Sequence, residues 1–146
     1  MDIDKVFNSF NDGEFQEAIN DLRDTPSYWI GMFKKLIHNY NNGYQYFMKN
    51  LLDSLEDEHD IDKDKVKDTV EYLTYSIAYS YIKRLDITDL SHVYYITLAT
   101  DDMLLTSVKR CLYYFESIER YEDCAYLKLL ETEVNKILLK FGSSSK

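Results

Sequence analysis

Apolar positions recur at steps of three and four through most of the chain, most regularly in its last third. Between Met103 and Phe141 a first stripe runs through Leu104, Val108, Cys111, Leu112 and Phe115. A second runs through Cys124, Leu127, Leu130, Val134, Ile137, Leu138 and Phe141. Each set lies on one side of a helix, and the polar break from Ser117 to Arg120 is short enough to fold the two into an antiparallel hairpin. Thr100-Asp101-Asp102 supplies a cap before this hairpin, and Gly142 a stop after it, leaving 143–146 as a disordered tail.

The same period predicts a smaller hairpin at the start of the chain. Ile3, Val6, Phe7 and Phe10 give one helix, Asn11-Asp12-Gly13 a turn, and Phe15, Ala18, Ile19 and Leu22 the next helix. Thr25-Pro26 is the clearest boundary, because Pro holds its predecessor extended and then suits the first turn of a new helix. From Trp29 a stripe reads Trp29, Met32, Phe33, Leu36, Ile37, Tyr40, Tyr44, Phe47, Met48, Leu51, Leu52 and Leu55. Its phase survives Asn41-Asn42-Gly43, although that triplet resembles a C-cap. Segment 27–57 is therefore one bent helix or two, and a break near Asn42 is the expectation.

A further helix places Val66, Val70, Leu73, Ile77, Ala78, Tyr81, Ile82 and Leu85 on its inner face, with Asp62 or Asp64 as N-cap. Asp86-Ile87-Thr88-Asp89 turns the chain again. Residues 90–100 have strand-like composition at Val93, Tyr94, Tyr95, Ile96, Thr97 and Leu98. An isolated strand would have nothing to pair with, so a helix is expected here too. The whole pattern predicts an all-α protein, a single domain over 1–142 with about five to seven helices packed as antiparallel hairpins.

Composition supports this frame. A chain of 146 residues with 45% hydrophobic content can build a packed core, and a single Pro with 4 Gly leaves little punctuation for many short strands. No apolar run approaches the roughly 18 residues of a membrane span. Met1-Asp2-Ile3-Asp4-Lys5 lacks the basic start and apolar core of a secretory signal, which makes a cytoplasmic protein the default. The formal charge of −9 argues against direct nucleic-acid or membrane binding, since both attract basic surfaces. Cys111 and Cys124 fall on apolar stripes, could face each other across the hairpin, and read as buried thiols. The abundance of Lys, Asn, Asp, Ile and Tyr is compatible with an AT-rich genome, such as that of a phage or low-GC bacterium.

Tyrosine is the unusual component, with 14 copies beside 7 Phe and 1 Trp. Many sit just off the apolar stripes, at Tyr72, Tyr75, Tyr79, Tyr94, Tyr95, Tyr113, Tyr114 and Tyr126. A boundary Tyr buries its ring and keeps its hydroxyl wet, whereas an exposed cluster serves recognition.

Signals for chemistry are sparse. Asp60-x-Asp62-x-Asp64-x-x-x-Asp68-x-x-Glu71 resembles the ligand spacing of an EF-hand calcium loop. Lys65 stands where that loop turns on Gly, Lys67 where it has an aliphatic residue, and helix capping within a solvated charge run accounts for every residue. His38, His59 and His92 are far apart, and no nucleophile elbow, P-loop or dinucleotide fingerprint is present. No catalytic residue, metal site or cofactor is expected.

Two local patterns resemble known families. Tyr121-Glu122-Asp123-Cys124-Ala125-Tyr126-Leu127-Lys128, within 111–138, is similar to the aromatic-Glu-x-Ala-Ala-x-Leu-Arg core of the UVR motif. That motif is a helical hairpin through which excision-repair subunits and some protease adaptors contact partners. Here Cys124 replaces the first Ala and Lys128 the Arg, which loses the forked donor set. Gly13-x-Phe15-x-x-Ala18-Ile19-x-x-Leu22 resembles half of a tetratricopeptide-type repeat, with no recurrence at about 34 residues elsewhere in the chain.

The function expected is a non-catalytic interaction module, an adaptor, regulator or inhibitor that docks on a protein partner or on a second copy of itself. Tyr75, Tyr79, Tyr113 and Tyr114 are the candidate anchors. An alternative is an acidic inhibitor that mimics nucleic acid, with Asp53, Glu56, Asp57, Glu58, Asp60, Asp62 and Asp64 as one negative stripe. A weak calcium-binding helical protein is the third reading.

Overall fold

The computed structural model describes residues 12–54 and 62–142. The helix expected through Ile3, Val6, Phe7 and Phe10, the acidic residues Glu56, Asp57, Glu58 and Asp60, and the tail 143–146 lie outside the described residues. The elements are α1 (Asp12–Arg23), α2 (Pro26–Asn39), a π-helical turn (Tyr40–Tyr44), α3 (Gln45–Ser54), α4 (Lys63–Ile82), α5 (Leu90–Ala99), α6 (Asp102–Ser117) and α7 (Tyr121–Gly142). The fold is all-α, with no strand among the described residues. None of these helices is long and apolar enough to cross a membrane.

Helix α2 is the inner element. Thr25 caps it, accepting from the Tyr28 N–H at 3.3 Å and donating to the Leu22 carbonyl at 2.9 Å, and Pro26 opens its first turn. Trp29, Ile30, Phe33 and Ile37 are buried on one face, and α2 packs against α1, α4, α5 and α6. The Trp29 indole donates to the Arg23 carbonyl at 3.1 Å, which fixes the corner between α1 and α2.

The break expected near Asn42 is instead a π-turn, and the chain stays helical from Pro26 to Ser54. Gly43 does not adopt the left-handed backbone that would end a helix there. The Tyr40 N–H is shared between the Leu36 and Ile37 carbonyls, and the Asn41 side chain donates to the Ile37 carbonyl at 2.8 Å. The side-chain amide thus supports the widened turn, and the apolar phase carries on to buried Met48 and Leu52.

Helix α4 is capped by Asp62, whose carboxylate accepts from the Lys65 N–H. Its inner face differs from the sequence expectation. Ala78 and Ile82 are buried as expected, but Tyr75 and Tyr79 are buried beside them, while Leu73 and Ile77 are exposed. Both sets share the helical period, but lie on opposite sides. Tyrosine wins because its rings find aromatic partners: Tyr75 stacks on Tyr114 of α6 at 4.4 Å, and Tyr79 meets Phe115 edge-on at 5.2 Å.

Leu90–Ala99 form helix despite their β-branched content, and Thr100 ends it in extended geometry. Asp89 caps α5 through the Ser91 N–H, and Ile96 is its fully buried side chain, worth about 1.5–3 kcal/mol of burial. Lys34 of α2 bridges the α5–α6 junction, donating to Asp101 at 3.2 Å and to the Ala99 carbonyl at 3.5 Å. Asp101 in turn caps α6 through the Leu104 N–H at 2.7 Å.

The predicted hairpin of α6 and α7 is present, with Leu104, Val108, Cys111, Leu112, Phe115, Cys124, Leu127, Leu130, Val134 and Ile137 buried; Leu138 is partly buried and Phe141 exposed. Its turn is a Schellman motif: the Arg120 N–H reaches the Phe115 carbonyl at 2.9 Å and the Glu119 N–H the Glu116 carbonyl at 3.2 Å. Glu119 occupies the left-handed position, φ 62°, where Gly is the usual residue. Arg120 then lies over Phe115 at 4.4 Å, pairs with Asp123 at 2.7 Å and donates to Ser76 of α4 at 3.2 Å, so one guanidinium joins the turn to α4. Nearby, the Tyr126 hydroxyl sits 2.8 Å from the Ile82 carbonyl and 2.7 Å from that of Leu85, closing the C-terminal end of α4.

Two substitutions test this account. Glu119→Gly relieves the left-handed strain and stabilises the fold by about 1 kcal/mol, raising the melting midpoint by roughly 3–5 °C in a calorimetric scan. Tyr126→Phe keeps the ring and removes the hydroxyl; urea titration should show a loss of about 1–2 kcal/mol from the under-satisfied carbonyls.

Candidate docking site

The sequence marks no catalytic constellation, and among the described residues no three His, Cys, Asp or Glu side chains converge as a metal site would need. The feature that does draw distant residues together is a groove of about 430 Å3 between the π-turn, α4 and α6. Tyr40 and Asn41 form one wall, Glu71 and Tyr75 the floor, and Lys109, Arg110, Tyr113 and Tyr114 the opposite wall. A second hollow of about 300 Å3 shares Thr106 and Arg110 with it and is completed by His38, Asn42 and Asp102.

The helical period of α6 explains the far wall. Its buried face is Leu104, Val108, Cys111, Leu112 and Phe115, so Thr106, Lys109, Arg110 and Tyr113 turn outward. The floor is rigid: Tyr75 is stacked on Tyr114, meets Tyr40 edge-on at 5.9 Å, and its hydroxyl accepts from the Asn41 amide at 3.4 Å. The Tyr40 hydroxyl reaches Glu71 at 3.4 Å, which occupies the carboxylate on that side. Lys109 and Arg110 make no ion pair among the described residues, unlike Lys34, Arg120 or Lys128. Lys109 and Arg110 thus stand beside exposed Tyr113 on a wall that faces Glu71 across the groove.

The four candidate anchors separate. Tyr113 is 77% exposed at the groove's rim and Tyr114 half-buried, whereas Tyr75 and Tyr79 are buried at 6% each and cannot serve as exposed anchors. Their rings are consumed by the contacts with Tyr114 and Phe115, a consequence of the rotated face of α4. Lys109 and Arg110 were not among the residues expected from the sequence, because their only local signal is a pair of cations on the polar side of α6.

The described part of the acidic run is mixed in sign. Asp53 and Asp64 line a hollow of about 330 Å3 together with Lys49, Lys63 and Lys67, and Lys63 lies 3.9 Å from Asp53. Asp62 is occupied as the α4 cap, and Asp64, Asp68 and Glu71 lie on that helix, not in a calcium loop. His38 contacts the Asn42 side chain, and His92 accepts from the Asp86 N–H at 2.9 Å while meeting Trp29 edge-on. Cys111 and Cys124 are both buried free thiols, and burial pushes each up from its ordinary value, which keeps them protonated and unreactive.

No protein-family model matches the chain, and no curated protein or solved structure matches it. In the segment that resembles the UVR motif, Cys124 is buried in the hairpin, while Tyr121 and Ala125 are exposed and Lys128 pairs with Glu116 at 3.8 Å. In the segment that resembles half a tetratricopeptide-type repeat, Phe15, Ala18 and Leu22 are exposed; the helix expected to pack on them lies outside the described residues.

The tyrosines around this region carry a pH signature. Burial raises Tyr75, Tyr79 and Tyr126 above the ordinary value, and burial reinforced by Glu71 raises Tyr114 to about 12. The unfolded chain ionises them near 10.0, so their contribution is intact below that pH and is lost as pH rises towards about 12. Alkaline titration of the phenolate absorbance should show a late-ionising class that appears together with loss of helical circular dichroism. Ionisation of every tyrosine before any loss of helix would contradict the burial described.

Proposed function

We propose that this protein is a non-catalytic interaction module that docks a protein partner in the groove between the π-turn, α4 and α6. The observation that carries the reading is the juxtaposition of exposed Tyr113 with Lys109 and Arg110, both without ion pairs among the described residues, on a wall braced by the Tyr75–Tyr114 stack. Tyr and Arg are the residues that most often concentrate binding energy, and a wall fixed in advance loses little entropy on docking. Two buried free thiols suit a reducing compartment such as the cytoplasm. The net charge of −9 disfavours nucleic acid as the partner. The mixed sign around Asp53 and Asp64 gives the nucleic-acid-mimic reading no support.

The test compares capture from the source cells by the wild-type protein and by a Tyr113→Ser/Arg110→Ala double variant. The wild type should retain one protein at fixed stoichiometry, and the double variant should weaken that binding by about 30-fold or more, as loss of an interface hot spot does. Equal retention by both forms would overturn the reading.

A further inference from the structure

Helix α5 presents an apolar stripe that nothing in the described structure covers. Leu90, Tyr94 and Leu98 stand at successive steps of four and are 84%, 60% and 66% exposed, on the side opposite buried Ile96. Scattered exposed apolar residues are ordinary, but three in register on one short helix form a continuous line about 12 Å long. The Tyr94 ring is held in place by an edge contact with Tyr95 at 5.6 Å. This stripe does not line the groove described above.

Two properties of the stripe select its occupant. The first is charge: α5 reads Leu-Ser-His-Val-Tyr-Tyr-Ile-Thr-Leu-Ala and has no Asp, Glu, Lys or Arg, whereas every other described α-helix carries several or at least two. For a chain of net charge −9, contact between copies is opposed over most of the surface, and an uncharged helix is where that opposition is least. The second is symmetry. Leu90 and Leu98 lie four residues on either side of Tyr94, so the stripe is the same read in either direction.

We infer that α5 is a homodimerisation surface, in which two copies pack their α5 helices antiparallel about a two-fold axis at Tyr94. Leu90 of one copy then meets Leu98 of the other, and the two Tyr94 rings meet at the axis, as an isologous contact requires. A face of ten residues falls short of the roughly 1,200 Å2 of a standard stable interface, so the dimer is weak and concentration-dependent. The helix ends bring Asp89 of one copy towards Asp101 of the other. Asp101 is paired within its own copy with Lys34 at 3.2 Å, and salt that screens the remaining repulsion tightens the pair.

Sedimentation across about 10 µM to 1 mM should show the average mass rising from one copy towards two, with a larger dimer fraction at high salt. Tyr94→Arg places like charges at the axis on an exposed position; it should weaken association at least about ten-fold with unchanged helical circular dichroism. Cysteine pairing reads the geometry directly, because the native thiols are buried. Under mild oxidation Tyr94→Cys should cross-link to itself, and Leu90→Cys should cross-link to Leu98→Cys in a mixture but not to itself. A monomer throughout the range, a dimer indifferent to Tyr94→Arg, or cross-linking of Leu90→Cys to itself alone would overturn the inference. None of these outcomes bears on the groove, whose residues are untouched by the variants.

Discussion

The structure depends on tyrosine rings packed between helices. Tyr40 of the π-turn meets Tyr75 of α4, Tyr75 stacks on Tyr114 of α6, and Tyr79 of α4 touches both Phe115 of α6 and Tyr126 of α7. Each ring removes a large apolar area from water, and each brings a hydroxyl that must find a partner. Carboxylates take those of Tyr40 and Tyr79, and turns and helix ends supply the others. The Tyr126 hydroxyl reaches the Ile82 and Leu85 carbonyls where α4 ends, and that of Tyr75 receives the Asn41 amide beside the widened turn. Among the described residues no buried side-chain polar atom is without a partner.

The same contacts position the candidate site. Because Tyr75 and Tyr114 are locked together, the groove between the π-turn and α6 has a fixed base, and Tyr113, one position before Tyr114, stands exposed at its rim. Arg120 reinforces the arrangement from the other end, holding the α6–α7 turn against Ser76 of α4. Packing that stabilises the fold and packing that shapes the groove are therefore one set of contacts.

Much of the fold was legible because the signals were local. Thr25-Pro26, Asp62 and Asp101 act where their sequence contexts place them, and the α6–α7 stripes bury nearly as read. The rotation of α4 was not legible. Leu73 and Ile77 fit a helical apolar stripe as well as Tyr75 and Tyr79 do, and the choice between them was made by Tyr114 and Phe115, more than 35 residues away in sequence. The groove was hidden for a similar reason. Its walls come from the π-turn, α4 and α6, and only the folded arrangement brings Lys109 and Arg110 to face Tyr40, Glu71 and Tyr75.

The π-turn has a consequence for how the chain tolerates length changes. Such a turn accommodates one residue more than an α-helix would place in the same rise. Deleting one residue from Asn41-Asn42-Gly43 would let α2 and α3 merge into a regular α-helix in which α3 keeps nearly its present facing, because the turn already absorbs the extra residue. Met48 and Leu52 would then stay on the side facing Val70, and the change would fall on the groove wall that Tyr40 and Asn41 build. A single codon in this triplet thus shapes the groove wall without turning α3 out of register.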